Sequence, residues 1–386
     1  MVRRWRKRSL RAAYLRGSRC PEPFEESDPV IIETGQTLRS ALIALNENKH
    51  RGAGYRVLIL RPTSITGEIW IGDLARCMRH AGIDCRVLGP AAQAPEITTA
   101  IESFQPNVLI ALESPEVLQA LDLEFLQQYK RAHGCLRHFV PVWRADAPRA
   151  QVPNGRLTPV QDEEHRRLRG RGLTADAYFS IFEPDFYERF SLDRRGPAID
   201  HETIPQGFNP STDYPLQAER RYDYFMASSM TDERVEVAYR YLRPILRQHR
   251  GLWAGPQWGF GLHSIAPADM PLHYARTRIA LSPLVGFVHI YGAELTHRVY
   301  ATAACGTFQL TMPTPITHRY FAPEELVQAA TPAEYSRLFD HYLDHPQERN
   351  SIALAALRRA YAEHSCFHRI DKFVSHWDNW RRRGLF

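Results

Sequence analysis

A chain of 386 residues, 44% of them hydrophobic, is too long for one compact core and suits two domains of ordinary size, which excludes disorder as its default state. No run approaches the ~20 apolar residues of a membrane span, and the polar start lacks the apolar stretch of a secretory leader. Six cysteines without a CxxC pair, and 17 scattered histidines without metal-ligand spacing, point to a cytoplasmic protein with ordinary thiols and no metal.

The net charge of +6 is unevenly spread. Arg3, Arg4, Arg6, Lys7, Arg8, Arg11, Arg16 and Arg19 stand in residues 1–19 with no acid among them. Further basic runs are HRRLRGRG at 165–172 and Arg381-Arg382-Arg383. Such tracts meet nucleic acid, acidic polymers or anionic lipid headgroups, and a solvated tail is the plain alternative. Trp5 and Tyr14 alone do not make an RNA-stacking platform, so no motif supports a nucleic-acid partner. An anionic membrane surface, met peripherally, remains the macromolecular partner this tract allows.

In chain order, residues 1–54 read as a basic extension containing one helical run, TLRSALIALNE. The first buried strand is YRVLILRP (55–62), followed by a loop, SITGEIW, and a helix, GDLARCMRHAG, stopped at Gly82. Strand DCRVLGP, helix ITTAIESF and strand NVLIAL follow. The spacing then predicts one long helix from Ser114 as N-cap and Pro115 to about Ala132, which places Asp122-Leu123-Glu124 mid-helix and outside any metal-binding loop. A strand LRHFVPVW, a long proline- and charge-rich loop over 145–172 and a short strand AYFSIFEP complete this half. IDHETIPQGFNPSTDYP (199–215), with four prolines or glycines breaking its pattern, reads as an interdomain linker.

A second alternating series begins with YDYFMASS and a helix capped by Thr231. LWAGPQW and RIALSPLV are its next strands. Within LSPLVGFVHIYGAELTHRVYATAACGTFQLT (281–311), a loop with Gly286 and Gly292 precedes a helix expected to start near Ala293. That helix carries Glu294, His297 and Arg298 in its first turns. Free N–H groups at a helix start, glycines and an arginine suit a phosphate-bearing ligand. Thr331, Pro332 and Glu334 form a capping box ahead of Tyr335, Leu338, Phe339, Tyr342 and Leu343 on one helical face. Strands alternating with helices imply two doubly wound parallel α/β domains, with ligands beyond the carboxyl ends of the strands in the cleft between the domains.

Four segments then carry a resemblance. IPQGFNPSTDYP resembles the domain linker of the group-1 GT-B glycosyltransferases, nearest the CgeB-like (spore-coat type) branch. SSMTDERVEVAYRYL resembles the opening of their donor domain, with Arg234 at the usual arginine. LHYARTRIALSP resembles the segment before the donor loop. THRVYATAACGTFQLTMPTP with the ERNSIALAALRRAYAEHSCFHRI tail resembles the closing block.

The resemblance implies two Rossmann-like domains facing a cleft, over residues 55–210 (acceptor) and 211–366 (nucleotide-sugar donor), with a helix over 367–386 packing back on the first domain. It implies a metal-independent enzyme without a cofactor, using a nucleotide-diphosphate sugar as co-substrate and a glycan, lipid-linked or small-molecule acceptor. Ser228, Arg234, Gly255, Trp258, Gly292, His297, Arg298 and Tyr300 would hold the donor. Trp258 would stack on the base or pack in the core. Glu68, Asp73 and Glu113 are the general-base candidates on the acceptor side, and Glu294 is a sugar-contacting candidate or merely complements the helix dipole. One departure matters: Ala301 stands where the family's ribose-binding glutamate falls. Two competing readings follow, a catalytically inactive GT-B binding or scaffold protein, and a basic membrane- or nucleic-acid-associated protein.

Overall fold

The computed structural model describes residues 2–61, 65–89, 92–113, 117, 120–141, 176–180, 200–283 and 294–384. The chain divides into two compact units, one of Asn46–Gln206 with Cys366–Phe386, the other of Met1–Leu45 with Gly207–Ser365.

The first unit is built on a six-stranded sheet. Its strands are β2 (Arg56–Leu60), β3 (Asp84–Leu88), β4 (Val108–Glu113), β5 (Leu136–Pro141), β6 (Ala177–Ser180) and β7 (Asp200–Thr203), in the order β3-β2-β4-β5-β6-β7, and every pairing is parallel. Val57 to Leu60 and Val108 to Ala111 are buried without interruption. That is the pattern of strands covered on both faces by crossover helices. The last helix, Cys366–Arg382, packs on helix Ile65–His80 and buries Phe367, Ile370, Phe373, Val374, Trp377 and Trp380 at helical spacing. The Trp377 ring meets Tyr55 at 5.0 Å, and Lys49 and His50 both reach the Asp371 carboxylate, at 2.7 and 2.8 Å.

Three expectations change in this unit. Helix Ile65–His80 absorbs most of the segment read as a loop. Gly67, Gly72 and the β-branched residues disguise it, whereas burial of Trp70, Ile71, Leu74, Cys77 and Met78 on one face holds it helical. The described helix before β5 is Leu123–His133, with Asp122 as its N-cap accepting from the Phe125 N–H at 3.0 Å. Asp122 therefore begins a helix where a mid-helix position was expected, and the capping expected of Ser114 and Pro115 lies outside the described residues. Asp200–Thr203, read as linker, is the sixth strand of the sheet. Its polar composition fits an edge strand and hides it from hydrophobic pattern.

The second unit has the five-stranded parallel sheet β10-β9-β11-β12-β13, formed by β9 (Tyr222–Ala227), β10 (Gly251–Ala254), β11 (Thr277–Ser282), β12 (Gln309–Thr311) and β13 (Val327–Gln328). Thr331 caps helix Pro332–Asp344 by accepting from the Glu334 N–H at 3.1 Å, and Glu334 accepts from Ala330 N–H at 2.8 Å.

The first 45 residues, expected as a separate extension, belong to this unit. Helix Val2–Gly17 lies along Asp232–Gln248, which passes through a π-helical turn at Ala238–Leu242. β1 (Glu25–Glu26) pairs antiparallel with β8 (Glu219–Arg220). Helix Pro29–Asn46 then seats Ile31 and Gly35 against Gly306, Pro215 and Leu357. A basic, polar composition concealed the small apolar stripe, Leu10 and Ala13, that makes the first helix part of a core.

Candidate functional site

Strands β9 and β11 are neighbours, with Ile279 opposite Tyr224 and Ala280 opposite Phe225. This register brings their carboxyl ends side by side, where open α/β sheets bind ligands. Ser228 follows β9 and Ser282 ends β11. Both are buried, and neither hydroxyl has a hydrogen-bond partner among the described residues. Leaving a buried hydroxyl unpaired costs about 1–3 kcal/mol, and both hydroxyls lie at the edge where open α/β sheets bind ligands. Ser282 was not singled out in the sequence, although a serine closing the apolar run RIALS was the available signal.

Two arginines stand on the helices beside these strand ends. Thr231 caps the helix after β9 by accepting from the Arg234 N–H at 3.2 Å. The Arg234 guanidinium donates to the Ser229 carbonyl at 3.1 Å and to the Ser229 hydroxyl. Arg298 is the second residue of helix His297–Ala304 and is half-buried. No carboxylate pairs with either guanidinium among the described residues. Burial first, then the like charge of Arg298, brings Arg234 down to about 10. Burial also lowers Arg298, whose titratable neighbours are Tyr274 and Tyr335. Two partly desolvated cations, with only the more distant Glu233 charge acting on Arg234, are costly alone and favourable around a polyanion.

The other expected donor residues divide. Gly255 has φ +142°, and a Cβ there would lie 1.8 Å from the Ser228 carbonyl oxygen. The Trp258 indole N–H donates to that same oxygen at 2.8 Å. Trp258 is only 1% exposed, between Trp253 and Phe260. It is therefore core beneath the strand ends, and its buried ring has no face for a nucleobase. Tyr300 is corrected likewise: it is fully buried against Tyr320, Phe321 and His364. Ala301 is buried as well and offers no polar group. His297 sits with Nε2 3.9 Å from the Asp213 carboxylate, which also accepts from the Asn209 N–H at 2.9 Å.

The helix starts at His297, after an extended Thr296, and not near Ala293. Glu294 thus precedes the helix by three residues and cannot complement its first turn as expected. Gly286 and Gly292 lie outside the described residues. On the acceptor side, Asp73 is within helix Ile65–His80, 3% exposed and paired with Arg76 one turn on. It is not the loop acid expected of a general base. Glu68 is on the same helix and Glu113 ends β4, but their side chains lie outside the described residues.

Gly255→Ala is expected to destabilise this unit by about 3 kcal/mol, since the left-hand φ and the backbone clash both oppose a side chain. Urea unfolding followed by tryptophan fluorescence measures it. An unchanged midpoint would show that the loop relaxes without cost.

Residues 234–375 match the family described as glycosyl transferase-like. No curated protein matches the chain. Among solved structures, sucrose-phosphate synthase from Thermosynechococcus elongatus superposes with a TM-score of 0.55 at 12% identity, over 85% of this chain and 98% of that one. T4 phage β-glucosyltransferase in complex with its UDP-glucose substrate gives 0.53 at 12%, over 82% and 97%. Anabaena HepE in complex with UDP and glucose gives 0.53 at 11%, over 84% and 99%. At such identities these structures share the GT-B fold with this chain, and the stretch 234–375, less than half of its length, is similar to the glycosyl transferase-like family.

Proposed function

We propose that this protein transfers a sugar from a nucleotide-diphosphate donor to a glycan, lipid-linked or small-molecule acceptor, without a metal or other cofactor. The diphosphate would lie at the carboxyl ends of β9 and β11. The observation that carries this is the pair Arg234 and Arg298, partly desolvated, with Arg298 depressing Arg234 and no carboxylate within salt-bridge reach of either among the described residues, beside two serine hydroxyls that have no hydrogen-bond partner among those residues. Breaking the bond from the sugar's anomeric carbon to the leaving phosphate oxygen leaves the electron pair on that oxygen. Guanidiniums already in place stabilise the growing charge more than the ground state. The acceptor hydroxyl attacks the same carbon and gives up its proton to a base. Glu68 and Glu113 remain the candidates for that base, and the Arg76-paired Asp73 is a poor one. The four resembling segments support the CgeB-like branch as the nearest relatives. UDP-glucose, named in the T4 enzyme's complex, is the natural first donor to try.

UDP, GDP and dTDP, tested by thermal shift, should stabilise the fold where uridine does not. A nucleotide at 100 times its Kd adds about 2.7 kcal/mol, and EDTA should not remove the effect. If no nucleoside diphosphate raises the melting temperature, the donor reading fails. Turnover is then read as donor hydrolysis, and nucleotide binding without any turnover would favour a binding protein.

Ala301 supplies a sharper expectation. A site that hydrogen-bonds a hydroxyl rejects analogues lacking it by large factors, and a site without that contact does not. UDP and 2′-deoxy-UDP should therefore bind within about tenfold of each other. Strong preference for UDP would mean that another residue replaces the family's glutamate.

A further inference from the structure

Helix Val2–Gly17 has two opposite faces. One is sewn to the rest of the second unit: Leu10 and Ala13 are buried, and Gly17 comes so close that a Cβ would lie 2.2 Å from the Leu246 carbonyl oxygen. Along its margins Arg3 pairs with Asp232 at 2.6 Å and Arg6 with Glu236. Lys7 donates to the Gln257 carbonyl, and the Ser9 hydroxyl accepts from Arg243 at 2.8 Å. The Tyr14 ring meets Phe260 at 5.2 Å.

The other face carries Arg4, Arg8, Arg11 and Leu15, at spacings of four, three and four residues that line up on one side of a helix. All four are exposed, and Leu15 is 47% exposed. Trp5, 57% exposed with its ring 5.2 Å from Tyr239, flanks the row, and so do the exposed Arg16 and Arg19. None of these five arginines has an acidic partner among the described residues. The row is about 16 Å long at the helical rise. Because the opposite face is packed, these charges form a fixed, straight array, not a solvated tail.

We propose that this face docks the protein on an anionic lipid surface. A straight row of unpaired guanidiniums complements a plane of negatively charged headgroups. Leu15 and Trp5, set among the arginines, gain by entering the boundary between headgroups and acyl chains. The same apolar side chains gain nothing against a sugar-phosphate backbone, and the row forms no groove or stacking platform for bases. Docking would be peripheral, since no helix of the described residues is long and apolar enough to cross a membrane. The proposal goes beyond the donor site and is independent of it.

The test uses the full chain in co-sedimentation with vesicles of phosphatidylcholine alone and of seven parts phosphatidylcholine to three of phosphatidylglycerol, at low and high salt. Binding to the anionic vesicles only, weakened by salt, is expected. The triple variant Arg4→Glu, Arg8→Glu, Arg11→Glu should bind at least about tenfold more weakly. Its melting temperature should be unchanged, because these side chains hold nothing in the fold. The triple glutamine variant, with a smaller loss, serves if charge reversal impairs folding. Equal binding to both vesicle types, or full binding by the triple variants, overturns the proposal. So does a short RNA or DNA duplex that binds through the same arginines more tightly than the anionic vesicles. Donor binding is read in vesicle-free solution, so failure of one idea leaves the other standing.

Discussion

Arg298→Ala is expected to weaken nucleoside-diphosphate binding at least tenfold, about the loss seen when one partner of a desolvated charge pair is removed, without lowering the melting temperature of the free protein. Both halves of this result follow from the same geometry. With no acidic partner among the described residues, the Arg298 guanidinium contributes no ion pair there to the unliganded fold. Arg234, already brought down to about 10 by burial and by Arg298, is relieved when its like-charged neighbour goes. The cost appears only when the anion arrives, as loss of a two-pronged guanidinium–phosphate contact. Arg298→Lys should recover part of the affinity, since an ammonium keeps the charge and loses the fork. Calorimetric titration with UDP, run beside thermal melts, separates the alternatives. A falling melting temperature with unchanged affinity would make Arg298 a structural residue and move the diphosphate elsewhere.

Glu25→Gln should destabilise the second unit, Met1–Leu45 with Gly207–Ser365, by about 3 kcal/mol at neutral pH. Glu25 reaches Arg220, Arg278 at 3.2 Å and the fully buried Arg349. Arg278 has a second carboxylate, Asp223, at 3.1 Å. For Arg220 and Arg349 no other carboxylate lies within salt-bridge reach among the described residues. Replacing it leaves buried charge uncompensated, with only neutral acceptors, Asn350 for Arg220 and the Tyr342 carbonyl for Arg349, still in place. Burial pushes the Glu25 carboxyl up, but Arg220, Arg349 and Arg278 together outweigh it and hold it below the ordinary range. A depressed carboxyl contributes stability that is complete above its unfolded pKa of about 4.3 and is lost as pH falls through its folded value. Parent and variant should thus differ at neutral pH and converge well below pH 4.3. Urea unfolding at a series of pH values measures this. A constant gap across the series would mean packing, not charge, accounts for the loss.

The N-terminal segment that carries Glu25 shows where sequence reading stopped. The order of strands and helices was plain, because Val57–Leu60, Val108–Ala111 and Tyr224–Met226 are apolar runs between turn residues and allow little else. Arg298 was singled out from its place near a helix start and Arg234 from the family resemblance, both as proposed phosphate contacts. Segments with mixed signals were not legible. Helix Val2–Gly17 hides two buried apolar side chains among seven cations, and Asp200–Thr203 is a strand with no apolar residue at all.

By itself, then, the sequence determined two parallel α/β sheets, since alternating strands and helices follow from local periodicity and residue type. The tertiary structure alone decided that Trp258 and Tyr300 are core, that the basic N-terminus is a packed helix, and that Ser228 and Ser282 are buried at the ends of neighbouring strands. Burial, pairing and strand register are properties of residues far apart in the chain, and no local pattern contains them.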